Sequence, residues 1–544
     1  MTVVMISLVV NSIGLAGTVV FSSTNLPIVV INTGGKTIPD EPKITADMKI
    51  IFNGPGKRNT IGDTVYNYNG KIGIEIRGSS SQMFDKKQYA VETRDSLGND
   101  INVSLLGLPA EADWILFAAY NDKTLMRDAL IYTLSRAIGR YASRVVYCEM
   151  VLNGEYRGVY ILFEKIKRGT NRVPISKLEV NGITGDAVTG GYIFKIDKTT
   201  TDDRWWVSPY PPKDIGFKIQ YVYDYPKPDK IVDTQKTYIQ EFMTSFETLM
   251  NSAGYADTIN GYAKMLDVGS AVDFFLLQEL SKNADAYRFS AFLYKDKDSK
   301  GGKLNIGPIW DFTIAFGNAN YFSAENPTGW ELSYLNSSSY YNEYELPFWW
   351  VKLFQDAGFM QIVKTRWGSL RSAQFSQGSI FKYIDSIAVL IDEAQQRNFT
   401  TWPILNSYVW PNPYVGGNYA NEITYLKNWI SARMSWIDLT LLGYTLGAAR
   451  TEDELIKLPL IVSQNYPNPF NPITIITYRL AVNSKISLKV YDMLGRDVVT
   501  LANRFERAGE HSISFDGSKL PSGVYFYRLQ TETHSETKKI TLTK

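Results

Sequence analysis

The sequence predicts a mixed α+β body followed by a small all-β domain, and three observations carry that reading. Apolar and polar residues alternate in the N-terminal half, as in LPIVVINT and KIGIEIRG, the period of half-buried strands. From Asp233 onward the apolar positions recur every three or four residues, first in TYIQEFMTSFETLM. The last such run is NYANEITYLKNWISARMSWIDLTL, where Ile423, Leu426, Ile430, Met434 and Ile437 keep helical step. After Leu442 the composition changes: GYTLGAARTEDELIKLPL reads as a linker over 443–462, and NYPNPFNP opens a run of short alternating strands. At 544 residues the chain exceeds what one hydrophobic core holds, so a division into domains is expected.

Composition removes several classes of chemistry. A formal net charge of +2 gives no broad electrostatic case for nucleic acid or anionic lipid as partner. The one cysteine, Cys148, rules out an internal disulfide and a thiolate metal cluster. The two histidines, His511 and His534, both lie in the C-terminal domain. The main body therefore works without imidazole, which removes a Ser-His-Asp triad, a Cys-His pair and a histidine zinc site. Carboxylates, lysines, arginines and hydroxyls remain, a set suited to phosphoryl transfer or glycoside hydrolysis. The apolar start, 1–25, reads as a secretory leader without its usual positive n-region, as a misplaced start codon would leave it. No other segment is apolar enough to span a bilayer.

Taken in order, KIGIEIRG leads into RGSSSQMFDKKQYAVETRD. Arg77 and Gly78 begin a small-residue loop able to turn backbone N–H groups toward phosphate, and Lys86 or Lys87 enters the next strand. A surface turn flanked by lysines has the same appearance. DWILFAAYNDKTLMRDALIYTLSRAIG then reads as a strand and a helix, with Leu130, Ile131, Leu134 and Ile138 on the buried face. Arg127 falls in the first turn of that helix, against the dipole, so an anionic partner is expected: Asp122, Asp128 or a phosphate. A hairpin turns at Asn153-Gly154, and its second strand ends at Glu164, placed either to pair with the loop lysine or to make an ordinary salt bridge. GGYIFKID, 190–197, is another strand, and the Tyr/Pro-rich run from VSPYPPKDIGF to YDYPKPDK reads as a long loop. Trp349 and Trp350 sit beside Leu353 and Phe354 on a helix, a core pattern.

The chain is organised around residues 283–318. Ser270 is placed to cap a helix with Val272, Phe275, Leu276 and Leu280 on one face, and the polar run after it carries Asp285 out of the helix end. SAFLYKD and KLNIGPIW alternate as two strands about KDSKGG. The second strand is expected to deliver Asp311, with Phe312 behind it and Gly317 closing the turn, so that Asp311 returns to Asp285. Two carboxylates so placed make a site for divalent magnesium or an acid/base pair.

KNADAYRFSAFLYKD and GPIWDFTIAFGNANY resemble the spore-coat CotH kinase-like family, as do the Arg-Gly-small-Ser loop with paired lysines and the Gly158-x-Tyr160-x-x-x-Glu164 strand. The resemblance covers 26–442. It implies an atypical protein-kinase-like, two-lobed domain that binds ATP with magnesium or manganese and phosphorylates protein Ser/Thr hydroxyls. It makes Asp285 the catalytic or metal carboxylate and Asp311 the metal ligand, and gives Lys87 the phosphates. Arg77, Arg127 and Glu164 fall to the nucleotide. Thr313 and Ser290 stand where a carboxylate and an amide are more usual, and a hydroxyl is the poorer magnesium ligand. On this reading Thr313 faces the metal. In the tail, NYPNPFNP, VYDMLGR, LPSGVYFYRL and KKITLTK resemble, in order, the C-terminal sorting domain of type IX secretion substrates. That implies an Ig-like β-sandwich over 463–544, with Ile486, Leu488 and Val490 inward and Ser487 and Lys489 outward. It also implies recognition by an outer-membrane translocon and a secreted or surface location. Two other functions suit the same residues: a catalytically idle scaffold at the cell surface, or a two-carboxylate glycoside hydrolase.

Overall fold

A computed structural model describes residues 19–199, 205–210, 219–337, 346–442, 461–462, 465–480, 484–506, 509–531 and 535–544. Most of the leader and linker expectations, and part of the Tyr/Pro-rich run, lie outside these residues. The chain divides into two compact units.

The first unit takes in residues up to 126, 143–165 and 384–422. Its centre is a closed barrel whose strands run, in barrel order, Ile28–Asn32, Ile44–Ile51, Tyr66–Ile76, Tyr89–Arg94, Asp113–Phe117, Glu155–Glu164 and Val145–Leu152. Closure comes from a parallel pairing of the first strand with the last, Ile28 opposite Glu149, while the other pairings are antiparallel. The alternation read from sequence is the inside–outside period: Val29, Ile31, Met48, Ile72, Ile74, Val91 and Leu162 fill the barrel. The Asn153-Gly154 hairpin is present, with φ of 51° and 85° as a tight hairpin turn requires. The helices Gln377–Leu390 and Asp392–Thr401 are separated at Ile391. The second packs on the barrel at Gly158 (φ 91°), where an added Cβ would stand 2.5 Å from Asn398 Oδ1.

The second unit comprises 127–142, 166–383 and 423–544. An antiparallel sheet of five strands runs Trp205–Val207, Gln220–Tyr225, Tyr192–Ile196, Ala291–Lys295, Leu304–Ile306. The Tyr/Pro-rich run is therefore not all loop: its aromatic alternation QYVYDY is a strand paired with Tyr192–Ile196, and the flanking prolines only bound it. Behind the sheet the helix Val268–Ser281 is buried on nearly all sides rather than along one stripe. Its cap is Asp267, whose carboxylate accepts from the Ser270 amide, three residues ahead of the expected cap. Trp349 and Trp350 are core, packed on Phe246 and Phe274.

The tail folds as two antiparallel sheets sharing one core. One contains Ile461–Val462, Ile473–Leu480 and Gly509–Asp516. The other runs Asp497–Glu506, Ser484–Tyr491, Gly523–Gln530, Ser535–Leu542. Ile486, Leu488 and Val490 face inward. The Asp497–Glu506 edge strand has no clean alternation, because register shifts interrupt its pairing and most of it is exposed; the sequence reading missed it.

Candidate functional site

The candidate site of the second unit starts where the Val268–Ser281 helix stops. Lys282 adopts φ 44° and ends it, and its ammonium donates to the carbonyls of Ser323, Asn326 and Thr328. Burial pulls that ammonium down to about 8. Asn283 then makes the connection the site depends on. Its side-chain amide donates to the Asp311 carbonyl at 3.2 Å, while its Oδ1 accepts from the Asp285 amide at 3.3 Å. One side chain thus ties the Asp285 loop to the Asp311 loop. The hydroxyl of Tyr321 lies in the fields of both carboxylates, and burial and those charges raise its pKa.

Asp311 is exposed and stands in a loop at φ 63°, not in the second hairpin strand, which ends at Ile306. Asp tolerates the left-handed region better than most residues, yet such a backbone costs on the order of 1 kcal/mol and persists only where neighbours over-determine it. Those neighbours come from the helix Arg127–Ala137. The Asp311 amide donates to the Tyr132 hydroxyl at 3.1 Å, the Phe312 amide to Asp128 Oδ1 at 2.8 Å, and the Thr313 hydroxyl to Asp128 Oδ2 at 2.9 Å. Arg127 Nε donates to the Ala315 carbonyl at 3.1 Å. Strain concentrates here: seven of the eleven non-glycine residues with positive φ among those described lie between Lys282 and Ser323.

Several expected roles change accordingly. Thr313 is buried and gives its hydroxyl to Asp128, so it does not face a metal at Asp311. Arg127 is 1 % exposed, and its Nε donates to the Ala315 carbonyl. Asp128, named from sequence only as a partner for Arg127, and Tyr132, not named at all, are the clamp on the Asp311 loop; their i, i+4 spacing on one helix face was the available signal.

Around Asp285 burial pushes the carboxyl above its usual range, and Asp197 adds to that; Arg288 and Lys198 pull it back. Arg288 is buried, stacked 4.6 Å from the Phe322 ring, and donates to the Ala284 carbonyl.

Beneath the loop lies a buried ionic cluster. Glu279 accepts from Tyr287, the Glu331 and Leu332 amides and Arg433. The two carboxylate oxygens of Glu331 are buried and find no hydrogen-bond partner among the described residues. Burial, with Glu279 adding to it, pushes Glu331 up to about 8 against the pull of Lys282, Arg433 and Arg288; Tyr287 and Tyr321 also feel its charge. An acid whose folded pKa is raised binds its proton more tightly when folded, so stability falls as pH rises from about 4.5 and the loss is complete above about 8. Glu331→Gln, which mimics the protonated acid, is expected to match wild type near pH 4.5. Its melting temperature should pull ahead as pH rises to 8 and then hold a constant lead. A gap independent of pH would show that Glu331 does not titrate in this window.

In the first unit the residues expected to meet a nucleotide are partly committed elsewhere. Lys87 is half-buried and its ammonium donates to the Gln82 carbonyl at 2.6 Å, within the loop that starts at Arg77. The Arg77 amide donates to the Gln88 carbonyl at 3.0 Å, closing that loop. Lys86 points inward: its ammonium donates to the carbonyls of Ala118 and Val159 and to Asn398 Oδ1, beneath the Tyr160 ring at 4.7 Å. Burial draws it down to about 7. Glu164 is fully buried and bonded to the Arg144 guanidinium at 2.8 Å, so the ordinary salt bridge is found and a pairing with Lys86 or Lys87 is not.

The donors near Asp311 are hard oxygens, as magnesium prefers. Among the described residues no three or more His, Cys, Asp or Glu gather into a metal-holding group. Two carboxylates suit an ion whose remaining positions belong to phosphate oxygens and water.

No curated protein matches the chain. One solved structure it is similar to is the Ig1 domain of mouse SynCAM 2, 20% identical over 16% of this chain and 93% of that one, with a TM-score of 0.11. The CotH kinase protein family matches residues 74–437, and the secretion system C-terminal sorting domain matches 464–543. Among the described residues no helix is long and apolar enough to cross a membrane. The chain belongs to the CotH kinase protein family and ends in a secretion-system sorting domain.

Proposed function

We propose that residues 26–442 form an atypical, kinase-like domain that moves the terminal phosphoryl group of ATP onto a Ser or Thr hydroxyl of a protein. The tail takes the chain through the type IX pathway to the cell surface or the medium. Family membership supports the reaction class, and the observation that carries it onto these residues is the Asn283 bridge between the Asp285 and Asp311 loops. Magnesium or manganese, held by Asp311 with Asp285 beside it, would neutralise phosphate charge. Asp285 orients the acceptor hydroxyl and takes its proton as the oxygen bonds to phosphorus; the bond from phosphorus to the bridging oxygen breaks and ADP leaves with the electron pair. A raised pKa suits Asp285 to that task. Charge and positioning suffice for such a step, so the lack of histidine in the body is no obstacle.

Of the two loop lysines, Lys87 keeps the phosphate role, because its ammonium lies nearer solvent while Lys86 is spent on three buried oxygens. Lys87→Ala is expected to weaken ATP binding about tenfold with little change in melting temperature, and Lys86→Met to reverse that pattern. Calorimetric titration and thermal melts on both variants check this, and a reversed result would exchange the two roles.

The commitments of Thr313 and Glu164 favour a second reading, a kinase-like surface protein without turnover. Incubating the full chain with radiolabelled ATP, magnesium or manganese and a generic protein acceptor decides between them. Metal-dependent labelling of the chain or the acceptor supports the kinase. Neither labelling nor ATP binding leaves the scaffold.

A further inference from the structure

The strand Tyr192–Ile196 runs antiparallel to Ala291–Lys295, with Ile196 opposite Ala291. Continued past that pair, the chain carries Asp197 and Lys198 alongside Ser290 and Phe289, the end of the Asp285 loop. The Lys198 ammonium does lie there, 4.8 Å from the centre of the Phe289 ring, where the ring face attracts a cation. Lys198 is exposed, and among the described residues its ammonium forms neither a hydrogen bond nor an ion pair. Its neighbour Asp197 is bonded to the Lys195 ammonium at 2.7 Å and to the Lys198 backbone amide at 2.9 Å.

Two cations therefore stand at the Asp285 turn, where the Arg288 and Phe289 amides donate to the Asp285 carbonyl, and they differ in kind. Arg288 is buried and fixed by the Ala284 carbonyl and the Phe322 ring. Lys198 is exposed, lies by an aromatic face, and among the described residues has a donor set to spare. An uncommitted ammonium beside a pair of carboxylates suited to a hard cation fits a ligand that brings metal and surplus negative charge together. In a metal–nucleotide complex that surplus sits on the terminal phosphoryl group.

We propose that Lys198 holds the terminal phosphoryl group of the nucleotide over Asp285. This rests on the nucleotide reading of the site and adds to it a residue just past a strand that sequence did not connect with catalysis. It also makes a specific demand: Lys198 distinguishes ATP from ADP, because only ATP carries the group it meets.

The test measures ATP and ADP affinity of the full chain with manganese for wild type, Lys198→Gln and Lys198→Arg. Lys198→Gln is expected to lose about tenfold or more in ATP affinity while ADP affinity stays within about twofold. Lys198→Arg should keep most of the preference for ATP. Equal losses for ATP and ADP, or no loss, overturn the proposal. If wild type binds neither nucleotide, the proposed function falls, and manganese–tripolyphosphate decides the role of the lysine by itself. Binding that Lys198→Gln abolishes sustains a phosphoryl contact; no binding, or binding indifferent to the variant, ends it.

Discussion

Asp311→Asn is expected to abolish magnesium-dependent transfer from ATP, by about a hundredfold or more, without unfolding the protein. The substitution isolates charge from shape. Asn tolerates the left-handed region as Asp does, so φ 63° at this position survives, and so do the amide bond to Tyr132 and the carbonyl bond from Asn283. What is lost is the anionic oxygen. Asp311→Gly makes the complementary test, since glycine relieves backbone strain at the same position. It should raise stability by at most about 1 kcal/mol and be equally inactive. Circular dichroism and urea melts report the fold, and initial rates with radiolabelled ATP report transfer. A rate for Asp311→Asn above a tenth of wild type would remove this carboxylate from the chemistry.

The nearness of the two loops was legible for a physical reason. Asp285 follows the polar end of an apolar helix, Asp311 follows an apolar strand, and a hairpin rich in turn residues lies between them, so the meeting of their loops through Asn283 follows from local signals. The backbone that presents Asp311 was not legible in the same way. The strand ends at Ile306, and the path onward is fixed by Tyr132 and Asp128, nearly two hundred residues earlier in the chain (|i−j| = 179 and 184). Periodicity describes one segment at a time and carries no such pairing. The two lysines show the same limit. Lys86 and Lys87 precede the strand Tyr89–Arg94, so its inside–outside period does not extend to them, and only the partners of Lys86 reveal which one is buried. Lys198 was missed because strand register, not sequence distance, carries it to the Asp285 loop. In the tail, strands with clean alternation were found, and the edge strand with shifted register was not.

Arg433→Ala is expected to cost about 3–5 kcal/mol, because it leaves a buried carboxylate without its counter-charge. Arg433 and Glu279 are both fully buried and meet at 2.9 Å. The guanidinium also donates to the carbonyls of Glu279, Pro327 and Gly329, so one side chain joins the helix Tyr419–Leu442, the helix Val268–Ser281 and the loop before Glu331. Burial draws even this guanidinium down to about 10, against the pull of Glu279 and Glu331. The pair is no proof of stability in itself, since its desolvation is expensive. The asymmetry lies in breaking it. Glu279→Gln keeps an acceptor oxygen for one of the two backbone amides, of Glu331 and Leu332, that donate to its carboxylate, and it leaves Arg433 its three carbonyl acceptors, so it should cost less than Arg433→Ala. The cluster supports the segment that ends in Asp285, so transfer activity should fall in Arg433→Ala at temperatures where the bulk of the protein is still folded. Urea unfolding followed by tryptophan fluorescence, with Trp429 and Trp436 on the same helix as Arg433, reads the stability change. A loss below about 1 kcal/mol would mean that water reaches Glu279 once the arginine is gone, and that the cluster is not what holds the Asp285 loop in place.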